Sequence, residues 1–254
     1  MSNSLKLRLN SNLDVDKYAK MYSENELVQI ENIFPDDIAS EIEAMLKTSM
    51  DWRLMFAEPD ATSSDGVKVV QLTNDDLKKT NPQEFQARIQ GVMSRATKSQ
   101  GYLYNSYPMI VAYDSNWDPG HPIHTLTEFL NSTEFLDFGR RIIGVPSVTE
   151  VEAQATLFSR GHFLTRHADR GFDNERRAAY TFGFTKKWNS DWGGLLTLLT
   201  RKGQVTESFI PGFNVLTLFN GRNIHAVSSV SPFAGAGRLQ ITGWLVDDGD
   251  KKAN

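Results

Sequence analysis

The chain has 254 residues, of which 40% are hydrophobic and 23% are charged, and this is the composition of an ordinary folded protein. A chain of this length forms one large domain or two small ones. The 27 Lys and Arg residues are outnumbered by 31 Asp and Glu residues, which gives a net charge of −4. Because this balance supplies no large positive field, it argues against a nucleic-acid partner.

The sequence contains no cysteine, so disulfides, thiolate metal sites, iron–sulfur clusters and cysteine nucleophiles are excluded. Any metal must therefore be bound by His, Asp or Glu, and there are only five histidines. No apolar run approaches the length of a membrane span, and charged residues interrupt the N-terminal segment. We therefore expect a cytoplasmic protein with no membrane partner.

The first part of the chain favours helices. Residues 27–33 are interpreted as a short strand, and Pro35 then stands where the first turn of a helix tolerates proline. Apolar residues recur after it at helical spacing, which predicts an amphipathic helix that ends near Thr48. Further helices are predicted over residues 83–100 and 125–143.

Three other segments of this part leave more than one interpretation open. Residues 56–72 contain a run of Thr, Ser, Asp and Gly, which indicates a loop or a hairpin. Two histidines within residues 121–124 have a metal-like spacing, but Pro122 between them is incompatible with a helix interior, so we predict a loop there. Residues 102–108 are rich in tyrosine and belong either to the core or to a substrate-binding surface.

From residue 149 the chain consists of short runs rich in Val, Leu, Thr and Phe, which are separated by Gly, Pro, Asn and Asp and are typical of successive strands. The predicted strands cover residues 149–159, 163–167, 177–185, 195–200, 208–210, 214–219, 224–230 and 239–246. About eight short strands suggest a jelly roll. We expect a single domain, residues 1–254, with helical support in 1–148, the jelly-roll catalytic core in 149–246 and a frayed tail in 247–254.

Three residues of this part form a candidate metal site. His167 and Asp169 are two residues apart at the end of a predicted strand, so both side chains point to the same face. The third residue, His225, begins another predicted strand. Taken separately, each part has an ordinary alternative: the His167–Asp169 pair could belong to a surface loop, and His225 could be a core histidine with a hydrogen-bond partner. Two histidines and one carboxylate on one face form the facial triad of non-haem Fe(II) oxygenases, which leaves positions open for other ligands.

Arg238 begins the predicted strand that carries Gln240, Thr242 and Trp244 on one face. An arginine that points into a barrel is costly unless it meets a carboxylate, which its planar fork binds through two parallel hydrogen bonds. If Arg238 faces solvent instead, it is an ordinary surface charge. Thr242 either makes a hydrogen bond beside the triad or simply fills the strand.

Several segments resemble the prolyl-hydroxylase-like branch of the Fe(II)/2-oxoglutarate oxygenases, and within it the ribosomal-protein prolyl hydroxylases. Residues 161–169, GHFLTRHAD, and residues 223–227, NIHAV, look like the two metal motifs of that family. Residues 188–196, WNSDWGGLL, resemble the turn and strand between them, and residues 238–244, RLQITGW, look like the 2-oxoglutarate strand. Residues 27–46 also resemble the beginning of these domains, so the likeness covers most of the chain.

The resemblance implies an α+β, mainly β fold, a double-stranded β-helix (jelly roll) buttressed by N-terminal helices. It also implies an enzyme, a 2-oxoglutarate- and Fe(II)-dependent dioxygenase that consumes O₂, with ascorbate as a candidate reductant. His167, Asp169 and His225 would be the catalytic metal ligands, and Arg238 would bind 2-oxoglutarate.

The sequence departs from the family pattern at one position of the co-substrate site. Many relatives have a tyrosine that contacts 2-oxoglutarate about ten residues before the first metal-binding histidine, where this chain has Leu157 and Phe158. Tyr180 is a candidate replacement.

Three hypotheses for function follow. The first is hydroxylation of a prolyl residue in a protein or peptide, and the second is the same chemistry on a small molecule, such as a free amino acid or a natural product. A small-molecule site would need a lid, for which residues 186–191 are the candidate. The third is a non-catalytic jelly-roll binding module whose metal residues are idle.

Overall fold

The computed structural model describes residues 6–63, 66–169 and 175–247. The helices are α1 (Val15–Asn25), α2 (Asp36–Thr48), α3 (Asn74–Lys79), α4 (Pro82–Ala96), α5 (Met109–Asp114), α6 (Pro122–Leu130) and α7 (Thr133–Ile143). The strands are β1 (Leu27–Glu31), β2 (Arg53–Pro59), β3 (Val67–Leu72), β4 (Tyr102–Tyr107), β5 (Glu150–Phe158), β6 (Phe163–His167), β7 (Arg176–Phe184), β8 (Leu196–Leu199), β9 (Val205–Phe209), β10 (Phe213–Phe219), β11 (Ile224–Val227) and β12 (Arg238–Val246).

The strands form one antiparallel sheet in the order β1-β10-β7-β12-β5-β4-β6-β11-β8-β9, and the β2–β3 hairpin joins it through β4. The sheet curls back on itself, because Leu196 and Leu198 of β8 pack against Leu27, Ala179 and Phe219 at its opposite end. The result is the curled jelly roll of a double-stranded β-helix, which confirms the predicted fold class.

The helices cover the outer face of the longest strands. Side chains alternate across a strand, so Leu239 and Ile241 of β12 face outwards and join the largest core cluster. Ile42 of α2 and Ile142 of α7 belong to the same cluster, and both are almost fully buried. This packing leaves the alternate residues of the strands facing the interior of the roll, where the candidate site lies.

The predicted helix over residues 125–143 is wrong in extent, because the chain forms two helices there. Asn131 ends α6, and the Ser132 side chain then accepts a hydrogen bond from the Phe135 N–H and caps α7. A serine cap satisfies one of the free N–H groups at a helix start, so Ser132 favours a new helix over continuation of the old one. Gly144, with φ of 70°, ends α7.

The predicted loop at residues 121–124 is also wrong. Pro122 is the first residue of α6 and His121 caps it, so proline occupies the one helical position where its missing N–H costs nothing. The two histidines are not brought together as ligands. His124 contacts the Trp117 carbonyl, whereas His121 contacts Ser49.

Besides helices, residues 1–148 contain four strands of the same sheet. β1 lies in the segment predicted as a strand, β2 and β3 form the hairpin that was one interpretation of residues 56–72, and β4 was not predicted. Residue 247 is predicted to begin a frayed tail. Asp247 is instead 6% exposed and receives hydrogen bonds from Ser147 and Arg177. The rest of that tail lies outside the described residues.

None of the described helices combines the length and the apolar character needed to cross a membrane.

Asn214 fastens the chain before α2 to the bulge in β10. It is fully buried and adopts a left-handed conformation with φ of 59°, which asparagine tolerates better than most residues. Its side chain accepts a hydrogen bond from the Phe34 N–H at 3.0 Å and donates one to the Phe34 carbonyl at 2.7 Å. Both backbone groups of Phe34 therefore depend on one side chain.

We expect Asn214→Ala to lower the free energy of unfolding by about 2–4 kcal/mol, because it leaves a buried N–H and a buried carbonyl without partners. Denaturant titration followed by circular dichroism measures this loss. Asn32→Ala is the matched control, since Asn32 also has a positive φ, 53°, but is exposed. The control should lose only about 1 kcal/mol from the backbone conformation. Equal losses in the two variants would contradict a role for the buried hydrogen bonds.

Candidate metal and co-substrate site

The pairing of β6 with β11 brings two histidines together inside the roll. His225 of β11 lies directly opposite His167 of β6, and their ring centroids are 4.2 Å apart. The His225 side chain is 7% exposed and that of His167 is 33% exposed. One imidazole is therefore part of the interior, and the other forms part of the wall open to solvent.

Asp169 completes the group two residues after His167. Its backbone N–H donates to the Gly221 carbonyl, which holds the chain beside β11 after β6 has ended. One carboxylate oxygen lies 3.4 Å from His167 Nε2, and the other lies 3.6 Å from His225 Nε2. Within the described residues, these three side chains are the group of His, Asp and Glu residues that could hold a metal ion, with ligand atoms within 4.8 Å of one another.

Both histidines turn the same ring nitrogen, Nε2, towards the Asp169 carboxylate. His167 Nδ1 lies 3.0 Å from the Thr165 carbonyl, and His225 Nδ1 lies 2.8 Å from the Asn223 carbonyl. Because a carbonyl only accepts, each Nδ1 carries the proton and each Nε2 keeps its lone pair. Metal-binding histidines are commonly held in this way by a partner on the other ring nitrogen.

The electrostatic state of the group also suits a cation. Burial by itself raises the pKa of Asp169, but His167, His225 and the Trp244 N–H outweigh burial, so the pKa of this carboxyl lies below its ordinary value. Burial, with the nearby His167, lowers the pKa of His225 to about 4. At neutral pH the group therefore offers one carboxylate and a neutral buried imidazole, which are the protonation states of metal ligands.

Trp244 orients the carboxylate of Asp169, a contact that is not evident from the sequence. Its indole N–H donates to Asp169 Oδ2 at 2.9 Å. The Arg176 guanidinium lies over the Trp244 ring at 3.5 Å and also pairs with Glu152 at 2.9 Å. The hydrogen bond beside the triad that was a candidate role of Thr242 is thus made by Trp244, two residues further along the same face of β12.

The triad borders a cavity of about 710 Å³ inside the roll. Phe158, Leu164 and Val227 give it apolar walls, and Tyr102 and Tyr104 line it from β4. Pockets of this size accommodate small ligands and cofactors, with a few polar groups that fix their orientation.

Arg238 lines the same cavity from β12 and is 1% exposed. Its guanidinium lies over the Phe158 ring at 5.1 Å, and its Nε makes no hydrogen bond. Within the described part of the chain, no carboxylate forms an ion pair with it, and burial lowers its pKa to about 9. A buried guanidinium without a counter-ion is a costly arrangement, which an anionic ligand would relieve.

The residues therefore fit the groups that the sequence resemblance implies. Two imidazole nitrogens and one carboxylate are the donor set of non-haem Fe(II) sites, and an unpaired buried arginine matches the distal carboxylate of 2-oxoglutarate. Both features line one cavity, so a single elongated ligand can contact both.

Comparison with known proteins agrees with this geometry. Residues 153–246 match the model of the 2OG-Fe(II) oxygenase superfamily, and this segment contains the whole triad and Arg238. Residues 153–246 therefore carry the sequence pattern of the 2OG-Fe(II) oxygenases. That superfamily is named for Fe(II) and 2-oxoglutarate, and the His-Asp-His group of this chain fits the iron. No curated protein sequence matches the chain.

Solved structures share the fold of this chain at low sequence identity. A prolyl-4-hydroxylase from Pseudomonas putida is 16% identical, with a TM-score of 0.55 over 92% of this chain and 98% of that one. A prolyl hydroxylase from Trichoplax adhaerens, in complex with a hypoxia inducible factor peptide fragment, is 17% identical, with a TM-score of 0.57 over 92% and 89%. The carbocyclase SnoK from nogalamycin biosynthesis is 10% identical, with a TM-score of 0.52 over 94% and 86%.

The structure places two candidates from the sequence, Tyr180 and residues 186–191, away from the triad. The Tyr180 side chain packs in the core cluster shared with the helices, and its hydroxyl donates to the Glu152 carbonyl, so it does not replace the missing tyrosine. The candidate lid, residues 186–191, does not cover the triad. Lys186 and Lys187 line a separate cavity on the helix-covered side, and Trp188 packs near Phe158 and Val230.

We expect Arg238→Met to make the ligand-free protein more stable by about 1–3 kcal/mol, because it removes a buried charge that has no partner. The thermal unfolding midpoint of metal-free protein reports this gain. Arg176→Met is the matched control, since Arg176 pairs with Glu152, and it should not raise the midpoint. An unchanged or lower midpoint for Arg238→Met would show that Arg238 has a stabilising partner.

Proposed function

We propose that His167, Asp169 and His225 hold one Fe(II), that Arg238 binds the distal carboxylate of 2-oxoglutarate, and that the enzyme hydroxylates a prolyl residue of a protein or peptide. The observation that carries the proposal is the joint position of the three ligand atoms and the unpaired arginine on one cavity. We also propose that residues 1–254 form a single domain.

Bound Fe(II) and 2-oxoglutarate together supply the oxidising power with which O₂ converts a C–H bond into C–OH, and 2-oxoglutarate becomes succinate and CO₂. The protein provides binding and orientation. Arg238 fixes one end of the co-substrate through charge-assisted hydrogen bonds, and Trp244 keeps the Asp169 carboxylate turned towards the histidines. The apolar walls exclude water from the reacting groups.

The mouth of the cavity supports a peptide as substrate. Met55 and Val69 of the β2–β3 hairpin border it, and Val69 is 60% exposed. Tyr102 is half-buried beside them, with its ring 5.5 Å from that of Tyr104. The exposed Val69 can contact a bound peptide at this edge, and aromatic rings such as that of Tyr102 pack well against the proline ring.

A small molecule is the second candidate substrate. The cavity volume of about 710 Å³ lies within the range of small-molecule sites. The neighbours SnoK and SnoN are described as a carbocyclase and an epimerase from nogalamycin biosynthesis, so the shared fold accommodates chemistry on compounds of that kind.

Succinate formation from 2-oxoglutarate tests the proposed site. We expect O₂-dependent turnover by the Fe(II)-loaded wild type and a loss of at least about 100-fold in His167→Ala, because a missing ligand leaves the ion weakly held. Arg238→Ala should raise the 2-oxoglutarate concentration needed for half-maximal turnover. Proline-containing peptides should stimulate turnover more than free amino acids. Stimulation only by free amino acids or other small molecules would favour the second candidate, and no turnover with metal bound would contradict the oxygenase site.

Trp244→Phe tests the hydrogen bond to Asp169. We expect metal affinity to fall about 10- to 100-fold, because the carboxylate loses the donor that orients it. Titration with Mn(II), followed by electron paramagnetic resonance of the free ion, measures the dissociation constant without turnover. Trp52→Phe is the control, since Trp52 lines the separate cavity near α2. Equal affinities for wild type and Trp244→Phe would show that Asp169 does not depend on this contact.

A further inference from the structure

A second cavity, of about 520 Å³, lies on the helix-covered face of the sheet, and we call it the outer cavity. Leu157 of β5 and Leu239 of β12 form its floor. Leu46 and Lys47 of α2 border it on one side, and residues 235–237, in the loop between β11 and β12, border it on another. The outer cavity is therefore a concave site enclosed by a helix, the sheet and a loop.

The outer cavity and the triad cavity lie on opposite faces of the same two strands. Leu157 pairs with Leu239 across β5 and β12, and the adjacent Phe158 pairs with Arg238. Because successive side chains alternate across a strand, the two leucines line the outer cavity, whereas Phe158 and Arg238 line the triad cavity. The two cavities are therefore separate sites.

Aromatic side chains supply apolar walls to the outer cavity. Trp52 and Trp192 line it and are partly exposed, and Phe184 lines it and is fully buried. The loop packs closely on one of these rings, since a Cβ at Gly235 would lie 2.9 Å from the Trp192 indole. Aromatic side chains pack favourably against other planar rings. These walls therefore suit a ligand with an aromatic body.

Three lysines and one glutamate supply the charge of the outer cavity, and the glutamate is already neutralised. Glu43 is 5% exposed, and its two carboxylate oxygens lie 2.7 Å from Lys47 Nζ and 3.0 Å from Lys186 Nζ. Burial by itself raises the pKa of Glu43, but the two lysines outweigh burial, so the pKa lies below its ordinary value. With Lys187 as the third lysine, three positive charges face one negative charge.

Lys187 is the lysine of the outer cavity that is available to a ligand. Lys186 pairs with Glu43, donates to Ser40 Oγ at 3.1 Å and lies over the Phe213 ring. Lys187 is exposed, and no carboxylate in the described part of the chain forms an ion pair with it. An ammonium group at the edge of an apolar cavity attracts a carboxylate through a charge-assisted hydrogen bond.

We propose that the outer cavity binds a small aromatic carboxylate, with its ring against Trp52 and Trp192 and its carboxylate at Lys187. The cavity volume lies within the range of small-molecule sites. Enclosure by α2, the sheet and the loop favours a small molecule over a peptide. The proposal is independent of the function proposed for the triad cavity, because the two sites share no lining residue.

Isothermal titration calorimetry of the Mn(II)-loaded full-length protein with 2-naphthoate tests the proposal. We expect binding with a dissociation constant below about 1 mM, as is ordinary for a ligand of this size. Lys187→Glu should weaken 2-naphthoate binding about 10-fold, because an attraction becomes a repulsion. The uncharged analogue 2-naphthol should keep its affinity in this variant. Equal losses for the two ligands would show that the variant alters the shape of the cavity, and would overturn the assignment of Lys187.

Two further variants locate the probe. Lys202→Glu is the matched control for charge, since Lys202 is exposed and lines neither cavity, and it should leave both affinities unchanged. Ala236→Trp adds a large ring at an exposed position of the cavity wall and should weaken both ligands at least about 10-fold by filling the space. Wild-type affinity in Ala236→Trp would show that the ligand does not enter the outer cavity.

Three other results overturn the proposal. The first is the absence of 2-naphthoate binding to the wild type at millimolar concentration. The second is a loss of affinity in Arg238→Met that equals the loss in Lys187→Glu, because it places the probe in the triad cavity. The third is Lys187-dependent binding of an acidic peptide without binding of 2-naphthoate, which makes the outer cavity a protein-docking surface. Wild-type affinity for 2-naphthoate in Arg238→Met supports the outer cavity.

Discussion

The antiparallel pairing of β6 with β11 is the constraint on which the candidate site depends. It places His225 directly opposite His167, although 58 residues separate them in the chain. Asp169 then needs only to follow β6 by two residues to reach the same point. The two strands are far apart in the sequence, so their pairing depends on the overall fold. The sheet curls, and this brings the end that contains β11 and β8 back towards the end that contains β1 and β10. Fold and site therefore form together.

The two faces of β12 have opposite effects on the stability of the fold. Its outward residues, such as Ile241, stabilise the core by burying apolar surface against the helices. Its inward residue Arg238 does the opposite, because the described residues give this buried charge no counter-ion. Proteins retain such costly groups where binding requires them. An anion bound at Arg238 would recover the free energy that the fold loses there, so binding of the proposed co-substrate would also raise the stability of the protein.

Local patterns in the sequence predicted much of this. Strand β6 was predicted with its observed bounds, and the alternation along β12 correctly separated Leu239 and Ile241 from the cavity side. The positions of the tyrosines in residues 102–108 were not predictable, because only the pairing of β4 with its neighbours shows that Tyr102 and Tyr104 line the cavity whereas Tyr107 joins the core. The break at Ser132 was missed for a different reason. The apolar spacing continues through it, and only the cap reveals the new helix.

The orientation of Asp169 shows why the remaining contacts lie beyond sequence patterns. Its partner Trp244 is a large ring on an inward strand position, and composition alone marks such a residue as a core aromatic. Its hydrogen bond to Asp169 depends on the direction in which the indole N–H points. The Arg176 guanidinium stacks on the ring and fixes that direction, and Glu152 holds the guanidinium in place. Three strands contribute to this arrangement, β12, β7 and β5. Because Arg176 also lines the cavity, the same stacked side chains form part of the cavity wall and orient the Asp169 carboxylate.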